Sequence, residues 1–190
     1  MFGFKKKYSE QELVEKCQKG NRNAQQQLYS QHSDKMLAIC LRYVGEFEAE
    51  DVLVNGFMKV FEKLNQFSGE GSLEGWIRRI MVNESLMHLR KNKKMQFSSD
   101  LESAEREMSG DLADAPLDAE ELLQLVQSLP DGYRMVFNLY AIEGFSHKEI
   151  AKKLTISEGT SKSQLSKARA MLRKMLEQND EMTHKKILMR

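Results

Sequence analysis

Only two prolines occur in the 190 residues. A proline inside a helix removes a backbone donor and clashes with the preceding turn, so their scarcity leaves room for an almost wholly helical chain. Cysteine is equally scarce: Cys17 and Cys40 have no zinc-type spacing, and four scattered histidines supply none. Buried thiols in a reducing compartment are expected, with no metal and no cofactor. No stretch approaches the roughly 18 apolar residues of a membrane span, and the opening Met1–Tyr8 lacks an apolar signal core. A soluble, cytoplasmic protein is the expectation. Catalytic groupings are missing too, because the serines have no paired histidine and acid and the carboxylates are strung along helix surfaces. The glycine-bearing stretch Phe67–Ser72 lacks the Lys-Ser/Thr ending of a nucleotide-binding loop. The chain is not expected to be an enzyme.

Net charge is also nearly absent, at +1, which argues against a nucleic-acid partner until the charges are placed along the chain. Phe97–Glu121 holds nine acids against Arg106 alone, a net of −8, while Ser157–Leu176 holds Lys162, Lys167, Arg169, Arg173 and Lys174 against Glu158, a net of +4. The average therefore hides a basic face and an acidic strap.

What is present is helical periodicity. Ser9 with Glu12 forms a capping box for a short helix carrying Leu13, Val14 and Cys17, which Gly20 ends. A helix over about 23–44 follows, with Leu37, Cys40, Leu41 and Val44 inward and Gly45 as its stop. The next runs over about 47–65, its inner side formed by Ala49, Val52, Leu53, Gly56, Phe57, Val60, Phe61 and Leu64. Glycine costs a helix interior about 1 kcal/mol against alanine, so Gly56 on an apolar face predicts a closely packed neighbour. Ser72 caps a helix over about 73–93. Its apolar side is Trp76, Ile77 and Ile80, and its remaining surface is loaded with donors: Arg78, Arg79, Asn83, His88, Arg90, Lys91, Lys93 and Lys94.

Residues 94–116 have little apolar periodicity and read as a linker. Extended, about 23 residues at about 3.3 Å each reach about 76 Å, roughly two turns of DNA at about 34 Å per turn. Helices bearing Leu122, Leu125, Val126 and Leu129, then Tyr133, Val136, Phe137 and Tyr140, lead to Gly144.

Beyond Gly144 lies a helix-turn-helix. Ser146 and Glu149 make a second capping box, with Ile150, Ala151 and Leu154 inward. After a four-residue joint, Ser157 starts a helix with Leu165, Ala168, Leu172 and Met175 inward and Lys162, Ser166, Arg169 and Arg173 outward. Cations suit phosphates, and small hydroxyls and Gln164 suit base edges in a major groove. Alone, this motif fits many duplex-binding regulators, including a dimeric one acting without polymerase, and each helix taken singly is also compatible with a solvated face. Those readings leave the Phe67–Ser72 loop, the tryptophan helix and the acidic linker without a task.

Both basic surfaces, in their order, resemble the sigma-70 family of RNA polymerase sigma factors, in its compact extracytoplasmic-function group. The likeness to region 2 rests on Glu50-Asp51, Phe57, Phe61, Leu64-Asn-Gln-Phe67, Trp76-Ile-Arg-Arg-Ile-Met-Val-Asn83 and Arg90-Lys91. That to region 4 rests on Leu129-Pro130, Glu149-Ile-Ala151 and Glu158-Gly-Thr-Ser-Lys-Ser-Gln-Leu-Ser-Lys-Ala-Arg169. The resemblance implies an all-α protein of two small helical domains: region 2 over 1–93, a flexible acidic linker over 94–116, region 4 over 117–178 and a C-terminal tail over 179–190. It implies core RNA polymerase and promoter DNA as partners, and an anti-sigma factor as a common further one.

By matching positions, the resemblance places Asp51, Asn55 and Phe57 at the polymerase. Phe67, Ser68, Trp76, Arg78, Arg79, Asn83, His88, Arg90 and Lys91 fall at the single-stranded −10 element, with Trp76 also readable as core. Thr160, Lys162, Ser163, Gln164, Ser166, Lys167 and Arg169 fall at the duplex −35 element. Three positions depart from the family pattern. Asn55-Gly56 stands where a glutamine and an acid are usual, Gln164 replaces a basic residue, and Thr155 replaces a turn glycine. A β-branched residue resists positive φ, so a relaxed turn is expected at Thr155.

Overall fold

The computed structural model describes residues 8–92 and 119–188, with side chains described over 8–91 and 120–178. The linker expected over 94–116 lies outside them. The chain falls into two units, divided between Lys93 and Lys94.

The first unit contains α1 (Glu10–Gln18), α2 (Arg22–Val44), α3 (Glu46–Lys63) and α4 (Leu73–Asn92), with a short 3-10 turn over Leu64–Gln66. Each start has a chemical cause. Ser9 and Glu12 form the expected capping box ahead of α1, and Asn21 accepts from the Ala24 amide at 3.0 Å ahead of α2. Helices α2, α3 and α4 pack on one another, with α1 against α2. The buried side of α2 is Ala24, Leu28, Met36, Ile39, Cys40, Tyr43 and Val44. This side is rotated from the expected one: Leu37 and Leu41 are only half-buried, because α2 packs against α1, α3 and α4 rather than against one neighbour. Gln18 donates to the Leu64 carbonyl at 3.2 Å and ties α1 to the end of α3.

The predicted close approach at Gly56 is present. A Cβ there would collide with the Sδ of Met81 on α4 and lie 2.9 Å from its Cε. Met81 is itself fully buried, so a side chain at position 56 has to displace the end of Met81 within the contact between α3 and α4.

The second unit contains α5 (Ala119–Ser128), α6 (Asp131–Phe137) continuing through a π-helical turn over Asn138–Ile142, α7 (His147–Leu154) and α8 (Glu158–Leu188). Pro130 separates α5 from α6, and the corner is held by Arg134, which is buried. Its guanidinium donates to the carbonyls of Gln127 at 2.7 Å and Leu129 at 3.1 Å, and to the Asp131 carboxylate at 2.7 Å. These bonds satisfy carbonyls that the end of α5 leaves without helical partners. Helices α5, α6 and α7 each pack against α8. Among the described residues there is no strand.

Two local expectations change. The joint between α7 and α8 is three residues, Thr155, Ile156 and Ser157. Thr155 is not relaxed: it adopts the left-handed conformation, φ 59 and ψ 46. The α7 stop demands that geometry, and the Thr155 amide bonds back to the Ala151 carbonyl as in a glycine-terminated helix. Further on, α8 runs to Leu188, into the segment expected as a tail.

Candidate nucleic-acid interface

In the first unit the interface is built on α4. Leu73, Ile77, Met81, Val82, Leu86 and Leu89 are buried, which turns Arg79, Asn83, Met87, Arg90 and Lys91 outward at three- and four-residue steps. Arg78 and His88 flank this stripe, half-buried. At its N-terminal end stands an aromatic pair, Phe67 and Trp76, with centroids 5.7 Å apart and planes inclined at 53°. Both rings are half-buried, so Trp76 belongs partly to the core and partly to the surface.

The loop carrying Phe67 is shaped by its backbone. The Phe67 amide donates to the Leu64 carbonyl at 3.1 Å, Ser68 accepts from the Glu70 amide at 3.3 Å, and Gly69 and Gly71 both have φ 80. That conformation favours glycine. Ser72 then caps α4 by accepting from the Gly75 amide at 3.0 Å. Glu84, an acid on the same helix, is paired with Lys59 of α3 at 2.5 Å and is largely covered, which limits its repulsion of a phosphate.

The outward side of α3 carries Asp51 and Asn55, both exposed, among large apolar side chains that sequence reasoning missed: Phe47 is 97% exposed, Val54 51% and Met58 64%. Their four- and seven-residue spacing, opposite the Val52–Phe57–Val60 stripe, was the available signal. Phe57, expected at a protein interface, is a correction. It is 2% exposed and packs against Tyr29 at 4.7 Å and Phe61 at 6.2 Å, on the inner side of α3 that its spacing predicts and away from Asp51 and Asn55.

In the second unit, Lys162, Ser163, Ser166 and Arg169 are exposed on α8, with Thr160 and Lys167 half-buried beside them. Thr160 and Ser163 are held close to the helix. The Thr160 hydroxyl lies 2.9 Å from that of Ser157, whose oxygen also accepts the Thr160 amide at 2.9 Å, and Ser163 donates to the Thr160 carbonyl at 3.0 Å. Leu165, Ala168 and Leu172 are buried as expected.

Gln164 is the second correction, because it is 8% exposed and turned inward. Its amide nitrogen lies 3.3 Å from where a Cβ on Gly132 would stand. Ser161, Gln164, Leu165 and Ala168 share the inner side, so the missing base at position 164 is replaced by a packing residue and not by a weaker surface contact.

One helical unit ends in a helix-turn-helix, and the other presents a donor-rich helix beside a glycine-shaped loop. Residues 28–95 match Sigma-70 region 2 and residues 119–172 match Sigma-70, region 4. The ECF RNA polymerase sigma-E factor of Escherichia coli K12 is 31% identical over 173 residues, spanning 85% of this chain and 91% of that protein. The RNA polymerase sigma-H factor of Pseudomonas aeruginosa is 29% identical over 181 residues, spanning 88% and 94%. The sigma factor RpoE of Bartonella quintana, solved in complex with the anti-sigma factor NepR, shares the fold at a TM-score of 0.50 and 24% identity, covering 80% of this chain and 96% of that one. The chain belongs to the sigma-70 family of RNA polymerase sigma factors, in the extracytoplasmic-function group. It is a factor of transcription initiation, and no helix among its described residues is long and apolar enough to cross a membrane.

Proposed function

We propose that the two faces divide promoter recognition, with the first unit holding an unpaired base of the −10 element and the second reading the −35 element as duplex. The observation that carries this reading is the Phe67–Trp76 pair lying at the head of the Arg79–Asn83 stripe. Opening a duplex loses base stacking, and an aromatic-walled pocket with hydrogen-bond donors offsets the loss by holding the extruded base. Phe67, Ser68 and Trp76 line that pocket in this reading, with Arg79 and Asn83 as donors. Arg78, His88, Arg90 and Lys91 follow the strand's phosphates. A helix surface of Lys162, Ser163, Ser166, Lys167 and Arg169 suits an intact major groove, with Thr160 near its N-terminal end.

Core polymerase docks on the outward side of α3, where Asp51 and Asn55 lie among Phe47, Val54 and Met58; Phe57 supports that side from beneath. An anti-sigma partner competes for such surfaces, as the Bartonella complex suggests by analogy. The protein works beside polymerase in the cytoplasm and adds no catalytic step or cofactor of its own. Region 2 spans 1–93 and region 4 spans 117–178, joined by the acidic 94–116 segment. That segment's charge suits a basic channel of the polymerase.

Two variants separate the roles. Asn83→Ala is expected to slow open-complex formation while sparing binding to a −35 duplex, and equal losses in both would remove Asn83 from the pocket. Lys162→Ala or Lys167→Ala is expected to weaken duplex binding and flatten its salt dependence by about one unit of slope. An unchanged slope would count against a phosphate contact there.

A further inference from the structure

Behind Arg169, one of the surface residues just assigned, lies a group of contacts in the second unit. Where α6 passes into the π-helical turn, the Glu143 amide reaches back five residues to the Asn138 carbonyl at 2.9 Å. A π-turn adds a residue to the helical circuit and re-aims the side chains it carries, and such turns are found often at functional sites. Asn138 and Leu139 on this turn are buried, while Tyr140 is half-buried and faces α7 and α8. Its ring stacks on the His147 imidazole at the start of α7, with centroids 4.6 Å apart and planes inclined at 23°. The guanidinium carbon of Arg169, on α8, lies 5.7 Å from the same ring. His147 is in turn fixed to α8, its Nδ1 2.9 Å from the hydroxyl of the fully buried Ser161. The π-turn, α7 and α8 therefore meet around the Tyr140 ring, which lies beside one exposed arginine of α8.

An exposed arginine ordinarily samples many rotamers, and holding it in one of them before contact lowers the ordering cost of binding. The face of a tyrosine ring attracts a guanidinium, and the fork that remains outward is suited to a phosphate. The imidazole behind the ring does not oppose this. Burial first, then repulsion from Lys162 and Arg169, with Glu158 acting the other way, keeps His147 below its ordinary range and so neutral at pH 7.

We propose that Tyr140, aimed by the π-turn and backed by His147, is a positioning residue that presets Arg169 for a phosphate of duplex DNA. This rests on the reading of the α8 face as a duplex reader, and the test separates the two. The full chain is titrated with a short mixed-sequence DNA duplex at low salt, since phosphate contacts are independent of sequence. Arg169→Ala is expected to weaken binding and reduce the salt slope by about one. Tyr140→Leu is expected to weaken it about two- to five-fold, the range of a surface cation–π contact, while Tyr140→Phe restores the wild-type value because the ring face is kept. In an Arg169→Ala background, Tyr140→Leu should have no further effect.

A purely structural tyrosine would instead lower affinity in both backgrounds along with the unfolding midpoint, and that result overturns the proposal. If Tyr140→Leu does not fold, His147→Ala serves in its place: a loss confined to the Arg169-containing background supports the proposal, and a loss in both backgrounds or none overturns it. No effect of Arg169→Ala would remove this position from the duplex face, and the proposal with it.

Discussion

Replacing Gly56 with alanine sets two effects of comparable size against each other, and the outcome tests how α3 and α4 are joined. Alanine gains about 1 kcal/mol of helix propensity over glycine in a helix interior. Against this, the new methyl enters the space of the Met81 Sδ and comes within 2.9 Å of Cε. Met81 has no exposed surface into which to retreat, and overpacking of a filled core costs about 1–3 kcal/mol. The expected net change is a loss of up to about 2 kcal/mol, where propensity alone predicts a gain. Truncating the neighbour reverses the sign. Met81→Ala costs about 2–5 kcal/mol by itself, and in that background Gly56→Ala should stabilise by about 1 kcal/mol, since the clash is gone and propensity remains. The coupling between the two sites is then about 1–3 kcal/mol, the size expected for side chains in direct contact. Urea unfolding of the whole chain, followed by the fluorescence of Trp76, isolates the first unit because that residue is the only tryptophan. Equal stabilisation by Gly56→Ala in both backgrounds would refute the close approach.

Two further outcomes are expected from the local chemistry. Thr155→Gly should stabilise the second unit by about 1 kcal/mol, since a left-handed conformation costs a side-chain-bearing residue about 1–2 kcal/mol; the gain should appear in the circular-dichroism transition that Trp76 fluorescence does not follow, and a loss would mean that the threonine side chain contributes more than its strain costs. Burial pushes both the Cys17 and Cys40 thiols up to about 11, so neither should be alkylated by iodoacetamide at pH 8 in the native chain while both react in urea, and rapid native labelling of either would contradict its placement.

Much of this was legible in the sequence because caps and stripes are local. Ser9–Glu12 and Ser146–Glu149 are contained within four residues and formed as read, and the Leu165–Ala168–Leu172 stripe turned inward as its spacing required. What escaped depended on the exact angle at which helices meet. Gln164 is polar and is expected outward, yet Gly132, distant in sequence, opens a space that receives its amide. Phe57 belongs to the inward stripe that its spacing predicts; the resemblance alone sets it at an interface, and its packing on Tyr29 keeps it inside. The Tyr140–His147–Arg169 group was illegible for another reason: a π-turn changes the helical period within a few residues, and regular spacing does not announce it. Thr155 shows that a strained residue is tolerated when the hydrogen bonds of a helix end demand its conformation.

The measurement that tests the central claim most directly combines the purified chain with core RNA polymerase and a random DNA pool, and sequences the 5′ ends of the transcripts. The account predicts that the chain co-elutes with the polymerase and that start sites cluster downstream of a recurring pair of elements, the upstream one lost on mutating Lys162 and Lys167 and the melting of the downstream one impaired by Asn83→Ala. Core polymerase that neither retains the chain nor gains promoter-dependent starts from it would contradict the account.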